Sequence, residues 1–115
     1  MNLKQRLERI RLTDVLAKSY KSELSNLLRL GNGLPAQARS IETVRERLKE
    51  LSTEYQLLHQ LIDKLDKPLD QTILRLHYFD KLSFKEIAIK LFHHKKTIVR
   101  YHKKAIEKLK ELEHQ

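Results

Sequence analysis

Near the C-terminal end of the sequence, Lys and Arg side chains lie close together without acidic neighbours. No Asp or Glu occurs in residues 93–104. The cations in this segment are Lys95, Lys96, Arg100, Lys103 and Lys104. Lysine is a mobile point charge and arginine a planar fork of donors, and both bind phosphate oxygens. On a helix, side chains three or four positions apart share a face. The segment could therefore bind a polyanion along one face of a helix.

The sequence offers little that could perform catalysis. It contains no cysteine, which excludes thiolate metal sites and a cysteine nucleophile. We find no glycine-rich phosphate loop, no nucleophile–base set and no metal-ligand spacing. His93 and His94 are adjacent, so on a helix their side chains would point about 100° apart. We predict a protein that is not an enzyme, with no catalytic residue, cofactor, metal site or small-molecule substrate.

The composition favours an all-helical protein. The chain has 115 residues and a net charge of +9, with 40% hydrophobic and 34% charged residues. Only two Gly and two Pro are present, whereas sheet-rich folds need more turn residues. No apolar run of about 18 residues exists, so we expect neither a membrane span nor a membrane partner. The first residues also lack the apolar stretch of a signal peptide, which favours a cytoplasmic location.

The first half of the sequence is predicted to form long helices. Residues 2–30 have helical apolar spacing whose phase shifts near Leu12, which indicates a kink. The cluster Gly31–Pro35 is predicted to end this helix and turn the chain. Apolar residues then alternate at spacings of three and four over three and a half heptads, a pattern that we term the heptad seam. The heptad seam consists of Ile41, Val44, Leu48, Leu51, Tyr55, Leu58, Ile62 and Leu65.

The heptad seam must meet another helix, and two arrangements are open. The first segment could fold back across the turn, or the same helix of a second chain could pair with it. We favour both, namely an antiparallel hairpin inside a homodimer. Residues 1–66 are accordingly predicted to be a helical hairpin or coiled-coil oligomerisation arm. Tyr20 and Tyr55 occupy positions in the apolar pattern and are predicted to be core residues.

The second half has the spacing of a helix-turn-helix. Pro68 fits the first turn of a new helix. Ser83 and Glu86 have the spacing of a capping box before another helix. Ala88 provides the small residue at which two helices can cross, and Ile98 supplies an apolar contact ten residues later. The second helix, from Lys95 to about residue 113, would then direct its basic side chains toward a DNA major groove.

These segments resemble region 4 of bacterial sigma factors, and the whole layout resembles small phage transcriptional regulators of the ArpU and RinA late-gene activator type. The resemblance rests on residues 74–79, 81–88, 96–98 and 104–109. It implies that residues 67–115 are a DNA-binding domain, which forms a three-helix module. The implied contacts with DNA bases or phosphates are Ser83, Lys85, His94, Lys95, Lys96, Thr97, Arg100, Lys103 and Lys104. Arg100 is the best candidate for a base edge, because its fork can contact guanine through two acceptors.

Two positions depart from that pattern. The turn, which usually contains Gly, has Phe92, and the usual Ser or Asn cap of the second helix is His94, a weaker cap. We expect Phe79, Phe84 and Phe92 to form core around the helix-turn-helix. Exposure of Phe92 would instead indicate a contact with polymerase or another protein. His102 is expected to be a partly buried, neutral imidazole.

Three functions are compatible with these features. The leading hypothesis is a sequence-specific regulator of transcription that binds double-stranded DNA as a homodimer and acts with the RNA polymerase of a bacterial host. A second is a DNA-packaging adaptor similar to small terminase subunits. A third is a protein-interaction module whose helical arm binds a phage or host protein. Higher oligomers would favour the second hypothesis, and absence of DNA affinity at low salt would favour the third.

Overall fold

The computed structural model describes residues 2–30 and 35–114, and all regular structure in those residues is helical. The prediction of an all-helical protein is confirmed. The helices are α1 (Leu3–Arg11), α2 (Thr13–Leu30), α3 (Pro35–Asp63), α4 (Pro68–Leu74), α5 (Phe84–Leu91) and α6 (Lys95–Glu113). A π-helical turn (Arg75–Phe79) continues α4. None of the helices in the described ranges is long and apolar enough to cross a membrane.

The helix boundaries follow local signals in most places. The shift of apolar phase at Leu12 falls between the two helices, since α1 ends at Arg11 and α2 begins at Thr13. Pro35 begins α3 and Pro68 begins α4, as expected for a residue whose fixed φ suits the first helical turn. Lys67, which precedes Pro68, is extended with φ −95° and ψ 118°. The predicted turn at Gly31–Pro35 falls on residues 31–34, which lie outside the described residues, and on Pro35, the first residue of α3.

The chain divides into two compact units. The first unit contains residues 1–11 and 57–115, and the second contains residues 12–56. This division differs from the predicted boundary between residues 66 and 67. The physical reason is a shared core, in which the apolar face of α1 and the last turns of α3 pack with later helices. Its buried members are Leu3, Leu7, Ile10, Leu58, Ile62, Leu65, Leu74, Tyr78, Ala105, Ile106 and Leu109.

Polar contacts support the first unit at its edges. The side-chain amide of Gln71 donates to the Leu65 carbonyl at 2.7 Å, which satisfies an acceptor just beyond the end of α3. Arg75 pairs with Asp63, and Arg6 of α1 pairs with Glu113 of α6. The last pair joins residues that lie at opposite ends of the sequence.

Residues of the heptad seam fall into three classes of exposure. Five are buried, namely Val44, Leu51, Leu58, Ile62 and Leu65. Ile41 and Leu48 are half-buried, and Tyr55 is 38% exposed. At this exposure Tyr55 is not a core residue of the single chain, contrary to the prediction. The chain by itself already buries most of the heptad seam.

We predict that Leu7→Ala destabilises the protein, because Leu7 is fully buried in the core of the first unit. Truncation of a buried leucine leaves a cavity and lowers the free energy of unfolding by about 2–5 kcal/mol. Urea denaturation followed by circular dichroism measures this loss. The matched control is Leu12→Ala, at a residue that is 57% exposed, where we expect a change within about 0.5 kcal/mol. Equal losses in both variants would contradict the placement of α1 in this core.

Candidate nucleic-acid interface

Helix α5 begins at a complete capping box, as predicted. The backbone N–H of Glu86 donates to the Ser83 hydroxyl oxygen at 3.1 Å. The backbone N–H of Ser83 donates to the Glu86 carboxylate at 3.2 Å. Both bonds satisfy donors that the first turn of a helix leaves unpaired. The two hydrogen bonds thereby fix the residue at which α5 begins.

The turn between α5 and α6 contains Phe92 in a left-handed conformation, with φ 59° and ψ 42°. The backbone N–H of His93 donates to the Ala88 carbonyl at 2.9 Å, which closes the end of α5. The side chain of Phe92 is 94% exposed, so the prediction that it forms core is wrong. A residue in the left-handed conformation ends the helix and changes the direction of the chain. At Phe92 this conformation directs the side chain away from the core. Phe79 and Phe84 do pack against the buried clusters.

Helices α5 and α6 share an apolar core. Ala88 and Ile98 are both buried in it, in agreement with their predicted spacing. The buried members of this core are Ile73, Leu76, Ile87, Ala88 and Ile98. The partly buried members are Leu69, Leu82, Phe84, Leu91 and Tyr101. This packing fixes which side of α6 is turned toward the protein.

The opposite side of α6 carries the predicted basic residues. The buried residues of α6 are Ile98, His102, Ala105, Ile106 and Leu109, and they lie on the side turned toward the protein. Of the residues from 94 to 104 that are predicted to bind DNA, Thr97 is half-buried and the others are exposed, namely His94, Lys95, Lys96, Arg100, Lys103 and Lys104. The guanidinium carbon of Arg100 lies 5.6 Å from the centre of the Tyr101 ring, a distance at which cation–π attraction orients the side chain. The exposed face of α6 is thus cationic over its first turns.

The predicted phosphate contacts before and at the start of α5 are also on the surface. Ser83 and Lys85 are both exposed. The Ser83 hydroxyl oxygen accepts from Glu86, and its O–H can still donate to a phosphate oxygen. His94 is the residue that precedes α6, and its side chain makes no capping hydrogen bond. Its position agrees with the expectation of a weak cap.

One basic residue near α6 was missed in the sequence. Lys4 of α1 lines the same 440 Å³ pocket as Lys103 and Lys110 of α6. Glu8 and Glu107 also line this pocket, so its charge is mixed. No local signal could have revealed this juxtaposition, because about a hundred residues separate Lys4 from Lys103. It follows from the packing of α1 in the first unit.

The net charge is concentrated in the first unit. Residues 1–11 and 57–115 contain 17 Lys and Arg and 9 Asp and Glu, which gives a net charge of +8. Residues 12–56 contain 7 Lys and Arg and 6 Asp and Glu, which gives +1. A potential that attracts polyanions therefore arises from the unit that contains α6.

Behind the basic face lies a buried group of titratable rings. The Tyr78 hydroxyl and Nε2 of His102 are 2.6 Å apart, within hydrogen-bonding distance. Nδ1 of His77 donates to the Leu82 carbonyl at 2.8 Å, and its ring stacks on Phe84. Burial, with a smaller contribution from His77, lowers the pKa of His102 to about 4. Burial also lowers the pKa of His77 and raises that of Tyr78. His102 is therefore neutral at pH 7, as expected.

Residues 36–110 match DUF1492, a family described as proteins of unknown function. The chain belongs to this family. The DUF1492 match contains most of α3, all of α4 and α5, and α6 as far as residue 110. It therefore includes every residue predicted to contact DNA and the whole heptad seam. No curated protein and no solved structure matches the chain.

The described residues contain no candidate set of metal ligands. Over the ranges that the structure describes, no group of three or more His, Asp or Glu side chains could hold a metal ion. His93 and His94 both lie in the turn before α6, and both are exposed. These two rings line a surface pocket together with Phe92 and Thr97.

We predict that acidification destabilises the protein through His102. The pKa of this residue is about 4 when folded and about 6.5 in an unfolded chain, so the unfolded state binds more protons between these values. The free energy of unfolding should fall as the pH drops from about 6.5 to 4, by about 3 kcal/mol in total. Urea denaturation at a series of pH values measures this slope.

The variant His102→Gln retains a polar partner for Tyr78 but cannot titrate, so its pH slope should be shallower than that of the wild type. His114→Gln, at an exposed residue, is the matched control and should keep the wild-type slope. Identical slopes in the wild type and His102→Gln would show that another group causes the pH dependence.

Proposed function

We propose that this protein is a regulator of transcription that binds a specific sequence in double-stranded DNA. In this proposal α5 and α6 form a helix-turn-helix, and α6 enters the major groove. α4 and its π-helical turn complete the three-helix module. Phosphate contacts fix the position of the protein on DNA, and contacts with base edges select the sequence. The resemblance to sigma region 4 supports this assignment.

The observation that carries the proposal is the two-sided character of α6. One side is buried against apolar side chains, while the first three turns of the other side carry five cations and no acid. A solvated helix surface usually mixes both charges, as the surface of residues 12–56 does. A rigid helix with a uniformly cationic face matches the width and the charge of a major groove.

Individual roles follow from side-chain chemistry. Arg100 is the proposed base contact, because a planar guanidinium can bind O6 and N7 of guanine together. Lys95, Lys96, Lys103 and Lys104 are the proposed phosphate contacts. Lys4 of α1 lines the same pocket as Lys103, so in this proposal it adds a phosphate contact from α1.

The exposed ring of Phe92 supports a contact with RNA polymerase or another protein. Ile89, one turn earlier on α5, is 68% exposed. α5 packs on α6 through Ile87 and Ala88, which lie on another side of that helix. Ile89 therefore takes no part in the packing of α5 on α6. An apolar pair at this place suits a protein surface better than phosphate oxygens.

We expect the full-length protein to select a defined motif from a random library of DNA duplexes at about 150 mM salt, where non-specific binding is weak. Sequencing of the bound duplexes after several rounds measures the enrichment. The same selection with resin that carries no protein is the control. If folded protein yields no motif, regulation at a specific site is refuted, and the packaging-adaptor and protein-interaction hypotheses gain support.

Removal of the side chains on the face of α6 should abolish specific binding. We expect the double variant Lys96→Ala with Arg100→Ala to lose the selected site, while circular dichroism stays unchanged because both residues are exposed. In titrations at several salt concentrations, Lys96→Ala alone should lower the log–log salt slope by about one, since one phosphate contact is lost. Lys18→Ala, on the nearly neutral second unit, is the matched control. Normal binding by the double variant would exclude α6 as the recognition helix.

A further inference from the structure

Within the second unit, the heptad seam is covered along one side only. Val44 and Leu51 occupy alternate positions of the heptad and are buried, at 1% and 4% exposure. Ile41, Leu48 and Tyr55 occupy the other positions, and all three stay partly or substantially exposed. They recur every seven residues, so they form one stripe along α3 about 21 Å long. We call these three residues the open stripe.

The open stripe borders a groove between α2 and α3. The groove has a volume of about 380 Å³ and is lined by Thr13, Ala17, Lys21, Leu48, Leu51, Ser52, Tyr55 and Gln56. Residues from the first half of α2 and mainly from the second half of α3 line the same groove, which is the arrangement expected of two helices that run in opposite directions. The guanidinium of Arg47 near the ring of Tyr20, at 5.8 Å, agrees with this direction. The small side chains of Ala17 and Ser52 allow a further helix to approach closely.

Apolar surface continues beyond the groove on the same side of α2. Leu28 lies eleven residues after Ala17, which is three full helical turns, so both side chains have nearly the same direction. Leu28 is 51% exposed. Among the described residues from 12 to 56, only Val44 and Leu51 are buried apolar residues. Two helices with so small a core need a further partner to bury their apolar faces.

We infer that this groove binds the same groove of a second copy of the chain, so that α2 and residues 35–56 of α3 from two chains form a four-helix bundle. Paired antiparallel helices that bury a shared apolar face are the usual elements of such a bundle. A two-fold axis makes the interface self-complementary, because the same patch is used on both chains. The open stripe then becomes the seam between the two chains.

The charge of this unit favours a second copy over other occupants. Residues 12–56 carry a net charge of only +1, with both signs interspersed along the helices. A polyanion or a strongly acidic protein would find no attractive potential here, whereas two such surfaces meet without appreciable repulsion. The first unit, with a net charge of +8, would repel its copy. Self-association is therefore best supported on the second unit.

Sedimentation equilibrium of the full chain tests this assignment. We expect the wild type to be a dimer at micromolar concentrations and Ala17→Glu to raise its dissociation constant by about 30-fold or more, because a carboxylate would be buried in the interface. Ser22→Glu, on another side of α2, is the matched control and should remain a dimer. A monomeric wild type, or a ring of more than two copies, would overturn the inference. So would an unaffected Ala17→Glu.

Chemical cross-linking gives a second measurement that does not depend on a destabilising charge. The chain has no cysteine, so a single introduced thiol is the sole reactive site for a short bismaleimide. Ala17 lines the groove that the two copies would share. We expect Ala17→Cys to form a covalent dimer and Ser22→Cys to form far less. Equal yields would contradict the proposed face. Neither result depends on DNA binding, so this inference can stand if the proposed function fails.

Discussion

The first unit depends on the burial of one side of α6. That side contacts two apolar clusters, one shared with α1, the end of α3 and Tyr78, and the other shared with α4 and α5. Because both clusters hold the same helix, its rotation about its axis is fixed. The rotation in turn decides that Lys96 and Arg100 are exposed while His102 is buried. A basic helix without this constraint would present its charges in no defined direction.

Local signals in the sequence predicted the parts of this arrangement that depend on neighbouring residues. The capping box at Ser83, the proline start of α4 and the core position of Ala88 all follow from spacing over a few residues. The role of α1 could not be predicted in this way. Its apolar residues at Leu3, Leu7 and Ile10 indicate an amphipathic helix, but periodicity does not identify the surface on which a helix packs. The π-helical turn was also missed, since its five-residue register leaves no periodic pattern.

The failures at Phe92 and Tyr55 have a common physical cause. Apolar character suggests burial, but burial depends on whether the backbone directs the side chain inward. At Phe92 the left-handed conformation directs it outward, at a cost of about 1–2 kcal/mol for a residue other than glycine. At Tyr55 the helix has apolar positions on two sides, and 38% of the residue stays exposed. Apolar character alone therefore does not decide whether a ring is buried.

The two proposals use different units of the chain, one strongly cationic and one with almost no net charge. One recognition helix contacts only a few base pairs, and its phosphate contacts weaken as salt increases. Two copies joined through residues 12–56 would bring two α6 helices to one DNA molecule, and the second contact would then form at a high effective concentration. Apolar association changes little with salt, so the dimer would persist under conditions that weaken each half of the DNA contact. Specificity could thus arise from two weak contacts held together by an interface that carries almost no net charge.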